Sequence, residues 1–212
     1  MAAAALGTGS VCSGSDEDFL YWTKATFLIP VWDDWQFGFQ QKLAFEDEAR
    51  RLDHQQRDYG LIYSGLADWI KLFGAVKVTH AKTDDRRDWT VEIRPHLNIG
   101  IRSKLCGLDM INRSRIEYRD IEDENTTWRF RHKVLFVSPA TFTSWRLQPF
   151  IGDELFYSFN SRRFSGQRLC SGLYVPLAGT IRLELFYFWH LYEDEGHWHD
   201  ANILGSYVRF TF

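Results

Sequence analysis

Side-chain character alternates at every second position along almost the entire chain, and this period of two is the feature that most restricts its fold. Trp35, Phe37, Phe39, Leu43 and Phe45 share one parity, while Gln36, Gln40, Lys42 and Glu46 share the other, with Gln41 the exception. Trp89, Val91, Ile93, Leu97, Ile99 and Ile101 repeat the pattern against Thr90, Glu92, Arg94, His96, Asn98 and Arg102. Ile181, Leu183, Leu185, Tyr187, Trp189 and Leu191 do so against Arg182, Glu184 and His190. Successive side chains of a β-strand point to opposite faces, so each stretch predicts a strand with one apolar and one polar face. Only the charged stretch from Glu46 to Asp58 has the composition for a turn or two of helix.

Read this way, the chain gives strands at 20–32, 35–46, 57–66, 69–80, 88–103, 109–120, 127–138, 145–159, 166–176, 180–192 and 202–212. Short connections at 33–34, 67–68 and 177–179 alternate with longer charged ones at 47–56, 81–87, 121–126, 160–165 and 193–201. Outer-membrane barrels show that rhythm, with tight periplasmic turns and longer external loops. A last strand running toward the periplasm leaves the first strand running the same way, whereas single-chain bacterial barrels have even strand numbers. A twelfth strand is therefore expected within or before the first twenty residues. The predicted fold is all-β, an antiparallel up-and-down transmembrane β-barrel of about twelve strands, eleven of them read directly.

The polar parity decides between kinds of barrel. Turning each strand's less apolar face inward places most of the 25 Lys and Arg side chains inside, including Lys24, Lys42, Arg94, Arg146 and Arg209. Glu46, Glu92, Glu117, Glu154 and Glu184 join them. The dry core of a soluble sandwich cannot hold so many ions, because each unpaired one costs several kcal/mol. The alternative is a soluble barrel with its charges outside and its aromatic face lining a cavity for an apolar ligand. Tryptophans and tyrosines near strand ends, among them Trp22, Trp32, Trp35, Trp69, Trp89, Trp128, Trp145, Tyr192 and Trp198, fit interfacial girdles better than a cavity lining. Three positions resist the pattern: Asp153 falls on the outward face, which calls for a bulge or an interfacial depth, and Pro95 and Pro149 lie inside strands.

Several segments resemble a family of uncharacterised bacterial outer-membrane barrels, the domain-of-unknown-function 2490 family. They are NRSRIEYR at 112–119, WRFRHKV at 128–134, PFIGDELFYSF at 149–159, QRLCSGLYV at 167–175 and NILGSYVRFTF at 202–212, with looser matches at WQFGFQQKLAFED and DYGLIYSGL. The resemblance implies an outer-membrane β-barrel of a diderm bacterium and attaches no activity to it.

The candidate site is the charged interior. Arg113, Arg115 and Arg119 on one predicted strand stand beside Arg129, Arg131 and Lys133 on the next, a concentration that demands acceptors. Glu117, Glu154 and Glu184 are the expected partners, with Arg168 and Arg182 completing the lumen network. Such a network either stiffens and plugs a narrow lumen or forms an anion-preferring constriction. His197 and His199 form a His-x-His pair in an acidic loop, a weak candidate for a metal and more simply a solvated loop. None of the seven histidines is followed two positions later by Ser, so the arrangement of outer-membrane lipid hydrolases is absent, although Ser, His and acid from different strands could still converge.

The ends and the totals bound the rest. Leu204, Ser206, Val208, Phe210 and the terminal Phe212 alternate as in the C-terminal signal read by the barrel-assembly machinery, with Leu204, Val208, Phe210 and Phe212 as its apolar positions. Residues 1–18 are expected to be a flexible N-terminus or a signal-peptide remnant, and 19–212 a single barrel domain. Cys12, Cys106 and Cys170 follow no metal or redox spacing, and a net charge of −3 gives no field for nucleic acid. No run approaches the ~18 apolar residues of a transmembrane helix, and a mean hydropathy of −0.33 is compatible with barrel strands. The expected function is an outer-membrane barrel, either a narrow Arg-lined channel or a structural surface barrel. No cofactor is implied, and the partners are outer-membrane lipid, lipopolysaccharide, the assembly machinery, and small solutes or ions. A lipid-modifying barrel enzyme is the main alternative.

Overall fold

A computed structural model describes residues 19–83, 86–194 and 196–212. Its elements are β1 (Phe19–Trp32), β2 (Trp35–Glu46), β3 (Arg51–Ala67), β4 (Ile70–Thr83), β5 (Arg86–Leu105), β6 (Leu108–Ile121), β7 (Thr127–Val137), β8 (Gln148–Ser158), β9 (Arg163–Ala178), β10 (Ile181–Asp194) and β11 (His197–Thr211). Each strand hydrogen-bonds the next in antiparallel fashion, and β1 closes the sheet on β11 in parallel, from Phe19↔Asn202 to Leu28↔Thr211. The parallel seam resolves the parity problem. With eleven strands the first and last must run the same way, and they pair directly, so closure among the described residues needs no twelfth strand. The expected location of that strand, in or before residues 1–18, lies outside the described residues.

Most strands run on beyond the edges read from the sequence, into the connections, whereas β8 is shorter, Gln148–Ser158 against the expected 145–159. β3 begins at Arg51, and the stretch expected to wind as a helix is a hairpin instead. Asp47, Glu48 and Ala49 take positive φ, Arg50 N donates to Glu46 O at 3.1 Å, and Arg51 pairs with Glu46 at 2.7 Å across the turn. The acidic 193–200 loop likewise collapses into the tight end of the β10–β11 hairpin. At the opposite end, Cys106 and Gly107, with φ of 51° and 81°, make the two-residue turn that matches strand twist, and its second position favours glycine. The longest connection among the described residues, 138–147, is at this short-turn end, closed by a Phe142↔Leu147 bridge. It contains Arg146, exposed and with φ of 54°, which is therefore not a lumen residue.

The prolines find places in the ladder. Register between β5 and β6 passes from Ile93↔Asp120 to His96↔Glu117, leaving Arg94 and Pro95 in a gap. The β7–β8 ladder starts at Val137↔Phe150, one residue after Pro149. Asp153 needs no bulge: the irregularity of β8 lies at Phe156/Tyr157, and Asp153 faces outward, both of its carboxylate oxygens accepting from the Gln167 amide nitrogen at 3.1 and 3.2 Å.

Facing follows the alternation and inverts the usual soluble arrangement. Ile93, Leu97 and Ile99 of β5 are exposed, while Arg94, His96 and Asn98 between them are buried. The outward face carries a ribbon of stacked rings across the seam, with Phe210–Phe27, Phe27–Phe39 and Phe39–Tyr59 centroids 5.0, 6.1 and 5.2 Å apart. Outward polar side chains are paired with cross-strand neighbours: Tyr21 with Ser206 at 2.8 Å and Arg57 with Gln41 at 3.2 Å. Inside, the charges share space with an apolar cluster on the β7–β11 wall, built from Leu135, Val137, Phe150, Tyr174, Phe186 and Phe188 with Trp22 and Ile203. Gly172 and Gly205 face inward beneath Phe150 and Phe186, where a Cβ would run into the rings. Such a cluster was not expected of a polar lumen. It arises because β10 is apolar on both parities, so Phe186, Phe188 and Tyr192 turn in while Leu185 and Tyr187 turn out.

Candidate functional site

The interior charges form one lattice built on the β6–β7 ladder. Register sets Arg113 against Lys133, Arg115 against Arg131 and Glu117 against Arg129, so the arginine-rich faces of both strands meet around a single carboxylate. Glu117 is fully buried, at 0 % exposure. Arg129 approaches it at 2.7 Å, Arg131 at 3.1 Å, Arg115 at 3.2 Å and Arg94 at 3.7 Å. Glu154 of β8 takes Arg113 and Arg131, both at 2.8 Å, and Arg168 at 3.4 Å. Glu92 of β5 takes Arg94 and Arg119, both at 2.6 Å. Because Arg94 and Arg131 each touch two carboxylates, the lattice runs without a break from β5 to β9. Phe156 lies under it, with the guanidinium carbons of Arg131, Arg168 and Arg129 at 4.8, 5.1 and 5.5 Å from its ring centre.

A second set continues the lattice on β3–β5. His96 Nε2 meets the Asp58 carboxylate at 3.1 Å, His96 Nδ1 meets the Asn98 amide at 2.8 Å, and Arg115 Nε donates to Asn98 Oδ1. Lys77 is 3.8 Å from Asp58. His54 links the Asp53 carboxylate at 2.6 Å to Lys42 at 3.3 Å. The sequence reading missed Asp53 because it began the third strand at 57, and Asp58, inside that strand, was not among its inward acids; His54, Gln56 and Asp58 share the inward parity, and the register shift beside His54 turns Asp53 in as well.

The structure brings Arg113, Arg115, Glu117, Arg119, Arg129, Arg131, Glu154 and Arg168 into one network and leaves three expected members outside it. Lys133 has no carboxylate within 4.0 Å among the described residues, and its ammonium lies 5.6 Å from the Phe188 ring centre. Arg182 lies over Tyr174 at 4.3 Å. Among the described residues Glu184 ion-pairs with none of the arginines: it stands opposite Tyr174, six residues along the ladder from the level at which His190, Arg168 and Glu154 face one another. Glu92 takes the acceptor role expected of it.

Packing of the inward side chains defines what the lumen is. Thr26, Thr79, Arg94, His96, Asn98, Glu117 and Glu154 are all buried, whereas the walls of a water-filled pore stay accessible. A cavity of about 190 Å³ remains in the half of the barrel nearer the 47–50, 122–126 and 159–162 connections.

Exposed tryptophans mark both ends. Trp32, Trp35, Trp69 and Trp145 lie at the short-turn end, and Trp89, Trp128 and Trp198 at the other. Trp22 and Tyr192, expected in these girdles, are buried and face inward, Trp22 against Phe188 and His54. From Trp89 to Ile101, the partner of Ile70, the strand rises by about 40 Å at ~3.3 Å per residue, or roughly 30 Å along the axis at a tilt of about 40°. That is the thickness of a hydrocarbon core.

His197 and His199 are exposed at the start of β11, opposite Asp194 and Tyr192, with His199 stacked on Tyr192 at 5.6 Å. Among the described residues no three His, Cys, Asp or Glu side chains are grouped to hold a metal. One Ser–His pair exists on the outward face, Ser114 Oγ to His132 Nδ1 at 3.0 Å. The neighbouring outward acid, Asp153, is bonded to Gln167, and among the described residues no carboxylate lies within 4.0 Å of His132.

A family model described as "Protein of unknown function (DUF2490)" matches residues 19–200, and the chain belongs to this family. No curated protein and no solved structure matches it.

Proposed function

We propose that this DUF2490 protein spans the bacterial outer membrane as a barrel whose lumen is closed by an arginine–glutamate lattice, a structural and surface-presenting role rather than an open porin. The inversion of the faces carries the reading: large apolar side chains are exposed along the outside while charges are buried within. In lipid, the outward face meets hydrocarbon, and a closed barrel satisfies every backbone group. The paired outward polar side chains and the two tryptophan girdles support the same placement. Leu204, Val208, Phe210 and Phe212 serve as the signal for the barrel-assembly machinery, and lipopolysaccharide and phospholipid surround the wall.

Two measurements on refolded protein test this. In vesicles with chain-brominated lipids, the exposed tryptophans are quenched; in a soluble barrel they are not. In planar bilayers the protein is silent. Anion-biased conductance steps would instead establish an open Arg-lined channel, in which Arg113→Glu with Arg129→Glu reverses the preference.

The Ser114–His132 pair favours one second reading, a lipid-modifying enzyme on the outward face. Release of fatty acid from mixed vesicles, lost in Ser114→Ala, would establish it; no release leaves the pair as a hydrogen bond that lowers the cost of two polar groups in lipid.

A further inference from the structure

We infer that the cavity in the loop-side half of the lumen is a binding site for a multivalent oxyanion of the phosphate class. The inference rests on the packed, charge-bearing interior described above, and it explains an imbalance that the lattice leaves. Ten Lys and Arg side chains line the cavity against four carboxylates, and Glu117 behind the lining is a fifth. The surplus is concentrated in one region.

Lys24 and Lys42 stand directly opposite each other on β1 and β2, both facing in, an arrangement that like charges disfavour. Neither has a carboxylate within 4.0 Å among the described residues. Lys42 Nζ sits 3.2 Å from the centre of the Trp22 ring, and Lys24 Nζ is 4.0 Å from that of Tyr207. From the opposite wall, Arg168 reaches the same Trp22 ring at 4.9 Å, and its Nε is buried without a partner. Two cations from β2 and β9 therefore converge on one indole, with Lys24 beside them. Register across the far wall, Arg113↔Lys133↔Glu154↔Arg168, adds two more cations, Arg113 and Lys133, and a single carboxylate, and Arg113 Nε is also without a partner.

Aromatic faces hold these cations in place by cation–π attraction but do not neutralise them. A compact dianion does, and its oxygens accept from both ammonium and guanidinium donors. A cavity of about 190 Å³ corresponds to roughly six waters at ~30 Å³ each, enough for a phosphate group with part of its hydration. The phosphate is either a free ion or the headgroup of a phosphorylated glycolipid reaching in from the rim.

The test uses detergent-refolded protein with verified β content and heat-dependent gel mobility. Titration with inorganic phosphate in the calorimeter gives saturable one-to-one binding, chloride gives none, and Lys42→Met weakens binding by at least about tenfold. Lys24→Met raises the thermal midpoint in phosphate-free buffer, because it removes a like-charge neighbour, and abolishes the rise that phosphate produces in the wild type. Outward Arg57→Gln changes neither. If only phosphatidylcholine vesicles doped with a bisphosphorylated glycolipid raise the midpoint, and Lys24→Met removes that rise, the anion is a headgroup. No heat, no midpoint rise in either setting, and a Lys24→Met variant less stable than wild type would overturn the inference. The membrane reading fails separately, on lipid quenching, since anion binding needs the cavity and not the bilayer.

Discussion

Replacing Glu117 by Gln removes the charge at the centre of the lattice while keeping its shape. Of the four guanidiniums around it, Arg94 keeps Glu92, Arg131 keeps Glu154 and Arg115 keeps the Asn98 oxygen. Arg129 loses both of its hydrogen bonds to a carboxylate, at 2.7 and 3.0 Å, and is left buried without an acid. Breaking a buried pair by removing one partner costs about 3–5 kcal/mol. With a urea slope near 3 kcal/mol/M, the upper range for small proteins, the midpoint falls by roughly 1–2 M. Urea titration of vesicle-inserted protein followed by tryptophan emission reads this directly. The double variant Glu117→Gln with Arg129→Met, which removes the stranded cation, recovers most of the loss, because exchanging a whole buried pair for apolar packing is close to neutral. A single variant within about 1 kcal/mol of wild type would refute the reasoning, since it would mean that water already solvates Arg129 and the lumen is wet.

Other outcomes follow from the packing. Gly205→Ala drives a Cβ into the Phe186 ring and against the Trp22 carbonyl oxygen and lowers stability by about 1–3 kcal/mol in the same titration; Phe186→Leu recovers only the part due to the ring. Phe27→Ala removes two stacked partners at the parallel seam, for a loss of about 1–3 kcal/mol; an unchanged midpoint would mean that the outer ring ladder contributes nothing. Phe212 is 67 % exposed and its backbone N donates to Leu28 O at 3.0 Å, so Phe212→Ala refolds normally in detergent yet accumulates less in the membrane fraction of cells. Equal losses in both settings would make its role structural.

How much of this was legible in the sequence depends on how local the cause is. Period two located eleven strands because alternation is a property of each strand alone, and it placed Arg113, Arg115, Glu117, Arg129 and Arg131 on one face. The parallel β1–β11 seam was not legible, since nothing in either strand states its partner; parity pointed instead to a twelfth. The partner of each arginine was equally hidden. Glu154 and Glu184 look alike in sequence, and only the register tells them apart: Glu154 stands opposite Arg168, whereas Glu184 stands opposite Tyr174, six residues further along β9. Trp22 was misassigned for a similar reason: a tryptophan near a strand end suits a girdle, but its parity turns it into the lumen against Lys42 and Phe188.

The central claim is that the outside of this barrel meets lipid and its inside is packed. Spin labels introduced one at a time from Glu92 to Ile101 on β5, in vesicle-inserted protein, test both halves with two relaxation agents. Ile93, Leu97 and Ile99 are expected to collide with oxygen and not with a water-soluble nickel chelate, while His96 and Asn98, which lie outside the cavity lining, are reached by neither. Nickel contact at the inward positions would contradict the packed lumen, and nickel contact at the outward ones would contradict the membrane placement.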